Sequence, residues 1–208
     1  MTLKGYYFIT DPDYSQHGAL NDIRTALDCG VKIIQYRDKQ LSVRQRLDIA
    51  QQAQKLCSDY RAIFIINDSV EIAWATDADG VNIGQSDLPS DLAAKMLKKN
   101  KIIGVSVTNM DEVKSALASA SYLGLGPVFS TQTKTDAASP TGLELLRQTR
   151  VITRLPIAAI GGIDFGNVRQ VLAAGADMIC AISTVYKAES LQAGIEKMIA
   201  LCNEGMKQ

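Results

Sequence analysis

Short apolar runs and amphipathic stretches take turns along the whole chain. Residues 6–10 (YYFIT) read as a strand that stops at Asp11-Pro12-Asp13, and residues 19–29 then carry apolar positions at helical spacing up to Gly30. The unit repeats. Strands are predicted at 32–36 (KIIQY), 63–66 (IFII), 80–83 (GVNI), 102–105 (IIGV), 122–125 (YLGL), 156–160 (PIAAI) and 178–182 (MICAI). Helices are predicted between them at 43–58, from Ser69 to about Thr76, and at 90–99, 110–120, 141–151, 167–174 and 191–202. Lys98 and Lys99 suit the negative end of the 90–99 helix. Trp74 and the apolar helix faces are expected to pack against the strands.

Strands that are almost continuously apolar and alternate with helices belong to a parallel sheet covered on its outer face. Eight such units in 208 residues leave about 26 residues each, which suits a single (β/α)8 TIM barrel over residues 1–208, near the compact end of that fold. A doubly wound sheet would carry a glycine fingerprint after its first strand, where this chain has Asp11-Pro12-Asp13. No second domain or linker stands out.

Composition narrows the class of function. Lys+Arg and Asp+Glu both total 22, so no net field favours nucleic acid or an anionic membrane, and any anion site must be local. No apolar run is long enough to cross a bilayer and no signal peptide is evident, so a cytoplasmic protein is expected. Cys29, Cys57, Cys180 and Cys202 lack CxxC spacing and read as reduced thiols in or near the core. His17 is the only histidine, which excludes a His-rich metal site.

In this fold active sites gather at the C-terminal ends of the strands. Those ends carry Asp11; Gln35, Arg37 and Lys39; Asn67 and Asp68; Gln85 and Asp87; Ser106; Thr131 to Lys134; Gly161 and Gly162; and Ser183. Gln35, Arg37 and Lys39 alternate past an apolar strand and so share a face. Arg37 could pair with Asp38 or Asp48 at the surface, but the triplet favours phosphate binding. Asp68 could cap the following helix, although Ser69 is also available for that task. Asp87 has no evident structural duty, because Pro89 intervenes and Ser90 is the better cap. Two carboxylates on neighbouring strand ends beside phosphate-seeking groups suit Mg2+, which takes one or two protein oxygens and leaves the rest to waters and phosphates. Gly161-Gly162 could be a plain turn; the loops after strands seven and eight, with Gly162 and the Ile182-Ser183 backbone, are where barrels build a phosphate cradle. The loop from 127 to 140 lacks apolar periodicity, and Thr131, Thr133 and Lys134 mark it as functional.

The segments IQYRDK, IIND, ADGVNIGQSDL, IGVS, YLGLGPVFSTQTK and AIGGI, in this order, resemble the thiamine phosphate synthase family over nearly the whole chain. The resemblance implies a transferase joining 4-amino-5-hydroxymethyl-2-methylpyrimidine diphosphate to 4-methyl-5-(2-phosphoethyl)-thiazole, with Mg2+ required and thiamine phosphate and diphosphate as products. It implies that Gln35, Tyr36, Arg37, Asp38, Lys39, Asn67, Ser106 and Lys134 hold the pyrimidine diphosphate, with Arg37, Lys39, Ser106 and Lys134 serving the chemistry. Thr131, Gln132, Thr133, Gly162, Ile182 and Ser183 would hold the thiazole phosphate, and Asp68 and Asp87 the metal. Asn82 departs from the family's usual histidine in ADGxH, with a modest effect on packing or solvation expected. Two alternatives stand beside this reading: a thiazole tautomerase of a related branch, which tends to have histidine where this chain has Pro127, and a non-catalytic phosphate-binding barrel. Oligomeric state is not legible.

Overall fold

The inward and outward faces of each strand bury apolar residues for different reasons, and the two clusters they form define the architecture. In the computed structural model, which describes residues 2–97, 100–131 and 139–205, the strands are β1 (Gly5–Ile9), β2 (Ile33–Tyr36), β3 (Ile63–Asn67), β4 (Gly80–Ile83), β5 (Ile102–Val107), β6 (Tyr122–Leu125), β7 (Ile157–Ile160) and β8 (Met178–Cys180). All pair in parallel, in sequence order, and β8 returns to β1, closing the barrel expected from the repeats. The helices are α1 (Ala19–Asp28), α2 (Val43–Asp59), α3 (Val70–Ala75), α4 (Ser90–Met96), α5 (Met110–Ala116), α6 (Gly142–Ile152), α7 (Val168–Ala173), α8 (Ile182–Tyr186) and α9 (Leu191–Gly205).

Because side chains alternate along a strand, one set faces the helices and the other fills the lumen. Phe8, Ile34, Phe64, Ile66, Val81, Val105 and Leu123 belong to the sheet–helix layer; Tyr7, Ile9, Ile33, Ile63, Ile65, Tyr122 and Met178 belong to the interior. Helix α2 begins with a capping box, in which Ser42 accepts from the Gln45 N–H and Gln45 accepts from the Ser42 N–H. Its buried residues, Ala50, Ala53 and Cys57, are small and lie on one face, so the helix can sit close to the sheet. Cys57, Cys180 and Cys202 are buried and Cys29 half-buried, and all are free thiols, as expected.

Three expectations need correction. Trp74 is 63% exposed: α3 is only six residues long and turns Val70, Ile72 and Ala73 inward, which leaves Trp74 on its outer face. The last strand ends at Cys180 rather than at residue 182, and Ile182 starts the five-residue α8, too short to show a helical period in the sequence. Helix α4 ends at Met96, and Lys98 and Lys99 lie outside the described residues. Among the described residues no helix is long and apolar enough to cross a membrane.

Glycine makes one crossing of the lumen possible. A Cβ on Gly104 would stand 2.2 Å from Cζ of Tyr122, so its absence lets the Tyr122 ring lie across the lumen from β6. Overpacking of this kind typically costs about 1–3 kcal/mol. Gly104→Ala is therefore expected to lower the unfolding free energy by that amount, read by equilibrium unfolding as a lower urea midpoint with an unchanged slope.

Candidate active site

The mouth at the C-terminal ends of the strands opens into a cavity of about 440 Å3, within the range of small-molecule sites. Its floor is a hydrogen-bonded series running across the lumen. Gln35 Nε2 donates to Tyr7 Oη at 2.7 Å, Tyr7 Oη and Tyr122 Oη lie 2.9 Å apart, Tyr122 Oη donates to Asn82 Oδ1 at 2.9 Å, and Asn82 Nδ2 donates to Ser106 Oγ at 3.2 Å. Burial pushes both tyrosine hydroxyls far above their ordinary range. Asn82 thus has a role beyond packing, linking the tyrosines to Ser106. Neither tyrosine stands out in the sequence; strand alternation turns Tyr7 inward with Ile9 and Tyr122 inward with Gly124, a parity that strands apolar on both faces do not announce.

On one side of the mouth stand the basic residues of the β2 end. Thr10 Oγ1 accepts from the Arg37 N–H at 2.8 Å and donates to the Arg37 carbonyl at 2.9 Å, extending the β1–β2 contact past the strands. Arg37 Nη1 then reaches Asp11 Oδ2 at 3.0 Å, rather than Asp38 or Asp48. Asp11 is fully buried, and desolvation raises its carboxyl despite the opposing Asp13 N–H and the Arg37 guanidinium. With this carboxylate behind it, the guanidinium keeps its remaining donors for the cavity.

The β3 and β4 ends contribute two facing carboxylates. Asp68 sits at φ 61°, and the Ser69 N–H donates to the Asn67 carbonyl at 2.7 Å, so Asp68 is the centre of a γ-turn of the uncommon positive-φ kind. Its own N–H donates to the Asn82 carbonyl at 2.8 Å, which holds this strained geometry against β4. Asp68 does not cap α3; Oδ2 lies 3.3 Å from Lys39 Nζ. Burial raises its carboxyl, the neighbouring Asp87 raises it further by charge and by a side-chain hydrogen bond, and Lys39 opposes both. Asp87 does have a structural duty, contrary to expectation: its Oδ2 accepts from the Gly84 N–H at 2.7 Å and closes the turn after β4.

The opposite side is a glycine turn buttressed by the loop after β6. Gly161 and Gly162 take φ of 97° and 64°, and a Cβ on Gly162 would stand 2.5 Å from the Ser130 carbonyl oxygen. The Val128 N–H donates to Ile160 and the Phe129 N–H to Gly161, so the start of that loop runs alongside the β7 end. Asn167 Nδ2 donates to the Gly162 carbonyl at 2.9 Å and Thr184 Oγ1 to the Ile163 carbonyl at 2.8 Å, tying the glycine turn to α7 and α8. Ile182 and Ser183, in the first turn of α8, line the same space.

Of the residues expected at the site, Gln35, Arg37, Lys39, Asn67, Asp68, Asp87, Ser106, Thr131, Gly162, Ile182 and Ser183 line this one cavity. Tyr36 and Asp38 do not. Strand alternation turns Tyr36 outward into the sheet–helix layer, and Asp38 Oδ1 accepts from the Gln40 and Leu41 N–H groups outside the mouth. Gln132, Thr133 and Lys134 lie outside the described residues.

Two facing carboxylates with one lysine form an electrostatically uneasy arrangement that a further positive charge would relieve. Because the Asp68 pKa is raised, its ionisation penalises the fold above that pKa and vanishes below the unfolded value of about 4. Asparagine tolerates positive φ as aspartate does. Asp68→Asn is thus expected to raise the melting temperature at pH 7 in chelator, with a smaller gain at pH 4, as followed by thermal unfolding at both pH values.

Residues 6–185 match the family model described as thiamine monophosphate synthase. The thiamine-phosphate synthase of Methanosarcina barkeri is 43% identical over 181 residues, covering 86% of this chain and 82% of that protein. That of Chloroflexus aurantiacus is 41% identical over 199 residues, covering 94% and 91%. Among solved structures, the thiamine phosphate pyrophosphorylase of Pyrococcus furiosus superposes with a TM-score of 0.89 at 36% identity, covering 97% of this chain and 96% of that one. The orotidine 5'-phosphate decarboxylase of Pyrococcus horikoshii, at 15% identity and a TM-score of 0.69, shares the fold alone.

Proposed function

The chain belongs to the thiamine monophosphate synthase family, and from that premise we propose that its barrel mouth joins 4-amino-5-hydroxymethyl-2-methylpyrimidine diphosphate to 4-methyl-5-(2-phosphoethyl)-thiazole, releasing diphosphate and thiamine phosphate. The observation that carries this reading is the division of one cavity into a basic and acidic side, with Arg37, Lys39, Asp68 and Asp87, and a glycine side, with Gly162 and the start of α8. Such a division suits two phosphorylated substrates meeting head to head. Neither a tautomerase nor a non-catalytic barrel is favoured, since the relatives carry the synthase name.

On the first side, Arg37, Lys39, Asn67 and Ser106 bind the diphosphate, and Gln35 at the floor meets the pyrimidine. Lys134 is assigned to the same substrate on the family resemblance. Asp68 and Asp87 are proposed to hold Mg2+. Two carboxylates with space for waters and phosphate oxygens fit the needs of that ion. The chemistry a bound Mg2+ supplies there is neutralisation of charge on the leaving diphosphate. Arg37, braced by buried Asp11, and Lys39 add fixed positive charge where negative charge grows as the carbon–oxygen bond breaks. The pyrimidine's own electrons sustain the resulting methylene cation, which the thiazole nitrogen captures. On the second side, Thr131, Gln132, Thr133, Gly162, Ile182 and Ser183 seat the thiazole phosphate and so align that nitrogen. Apolar walls such as Ile9, Ile160 and Ile163 keep competing water scarce.

The direct test mixes the purified chain with both substrates and Mg2+ and measures thiamine phosphate. Product is expected with the metal and only background with chelator; no product under either condition would refute the reading. Asp87→Asn and Arg37→Ala are each expected to lower turnover by about 10²- to 10³-fold, and wild-type turnover with unchanged metal dependence in Asp87→Asn would remove that carboxylate from the metal site.

A further inference from the structure

Behind the mouth, between the β2 end, the β3 end and the helices outside them, lies a second cavity of about 10 Å3, with Tyr36, Arg46 and Ser69 in its wall. Each brings a buried polar atom with no hydrogen-bond partner among the described residues: Tyr36 Oη, Arg46 Nε and Ser69 Oγ. Tyr36 is 3% exposed and Ser69 5%. Ser69 occupies the N-cap position of α3, yet its side chain makes no capping bond. Three orphaned polar atoms would be expensive to bury, and their residues line one space the size of a single water, with Asp38 and Asn67 beside Ile66 and Ile72 in the rest of its wall. The chemistry is complementary too, since Arg46 Nε–H can only donate while the two hydroxyls donate or accept.

We infer that this cavity binds one ordered water, held by Tyr36 Oη, Arg46 Nε and Ser69 Oγ, which ties the start of α2 and the end of β2 to the turn that presents Asp68. Ser69 is the residue whose N–H closes the positive-φ turn at Asp68, so the water grips that turn from the side opposite the mouth. Such a tie explains why Tyr36, turned away from the mouth, nevertheless bears a hydroxyl. It does not depend on the reaction proposed above.

The sign of a stability change tests it. If the water is bound, Tyr36→Phe removes one of its partners and lowers the melting temperature by about 2–4 °C; if it is not, the same change removes an unpaired buried hydroxyl and leaves stability equal or higher. Ser69→Ala is expected to behave alike, which guards against a folding defect peculiar to one variant. A crystal structure that shows ordered solvent should contain a peak within about 3.2 Å of all three atoms. An empty cavity, or a Tyr36→Phe protein at least as stable as the parent, overturns the inference.

Discussion

Strand alternation in a closed parallel barrel is the constraint on which the remaining features depend. Once eight strands pair in register around the lumen, every second side chain must fit a confined interior, and the last inward residue of each strand becomes part of the mouth. This is why Gln35 and Arg37 reach the cavity while Tyr36 between them does not. It is also why the lumen needs Gly104 opposite Tyr122: the interior volume is fixed by strand number, so a large ring on one strand requires a missing side chain on its neighbour.

Charge at the mouth is arranged in two tiers. Arg37 is neutralised from behind by a carboxylate with no exposure at all, which holds its geometry without taking it out of use. Lys39 and Asp68 are both partly exposed, so their attraction is screened and contributes little by itself. Asp68 and Asp87 instead repel, and Asp68 is further strained in its backbone. A fold that holds such a turn must over-determine it from neighbouring elements, which here are the Asn82 carbonyl on one side and the Ser69 segment on the other.

Most of this was legible in the sequence because periodicity changes from strand to helix eight times and because punctuation falls at every strand end. The sides of the mouth followed from that reading, with Arg37, Asp68, Asp87 and Gly162 at the positions they occupy. What escaped it has common physical causes. When both faces of a strand are apolar, composition does not say which parity is inside, so Tyr36 reads as part of its motif while Tyr7 and Tyr122 have nothing to mark them. Helices as short as α3 and α8 complete fewer than two turns, too little for a period to show, which misplaced Trp74 and the end of β8. A contact between distant loops, such as Asp11 with Arg37, has no local signature, and the Asp87 bond to the Gly84 N–H lies inside a short turn where the carboxylate reads as free.

The hydrogen-bonded floor has a direction that its distances alone do not reveal. Tyr122 spends its single hydrogen on Asn82, so the hydrogen between the two phenols must come from Tyr7, whose oxygen in turn receives from Gln35. At the other end the Asn82 amide donates into Ser106, leaving the serine's own hydrogen as the one that points onward. Polarity therefore runs one way, from Gln35 to Ser106, through phenols whose burial disfavours ionisation. The bottom of this cavity is wired as a chain of aligned dipoles. For the reaction proposed above, such a floor offers a bound heterocycle donors and acceptors fixed in advance, so that its orientation is set before any bond breaks.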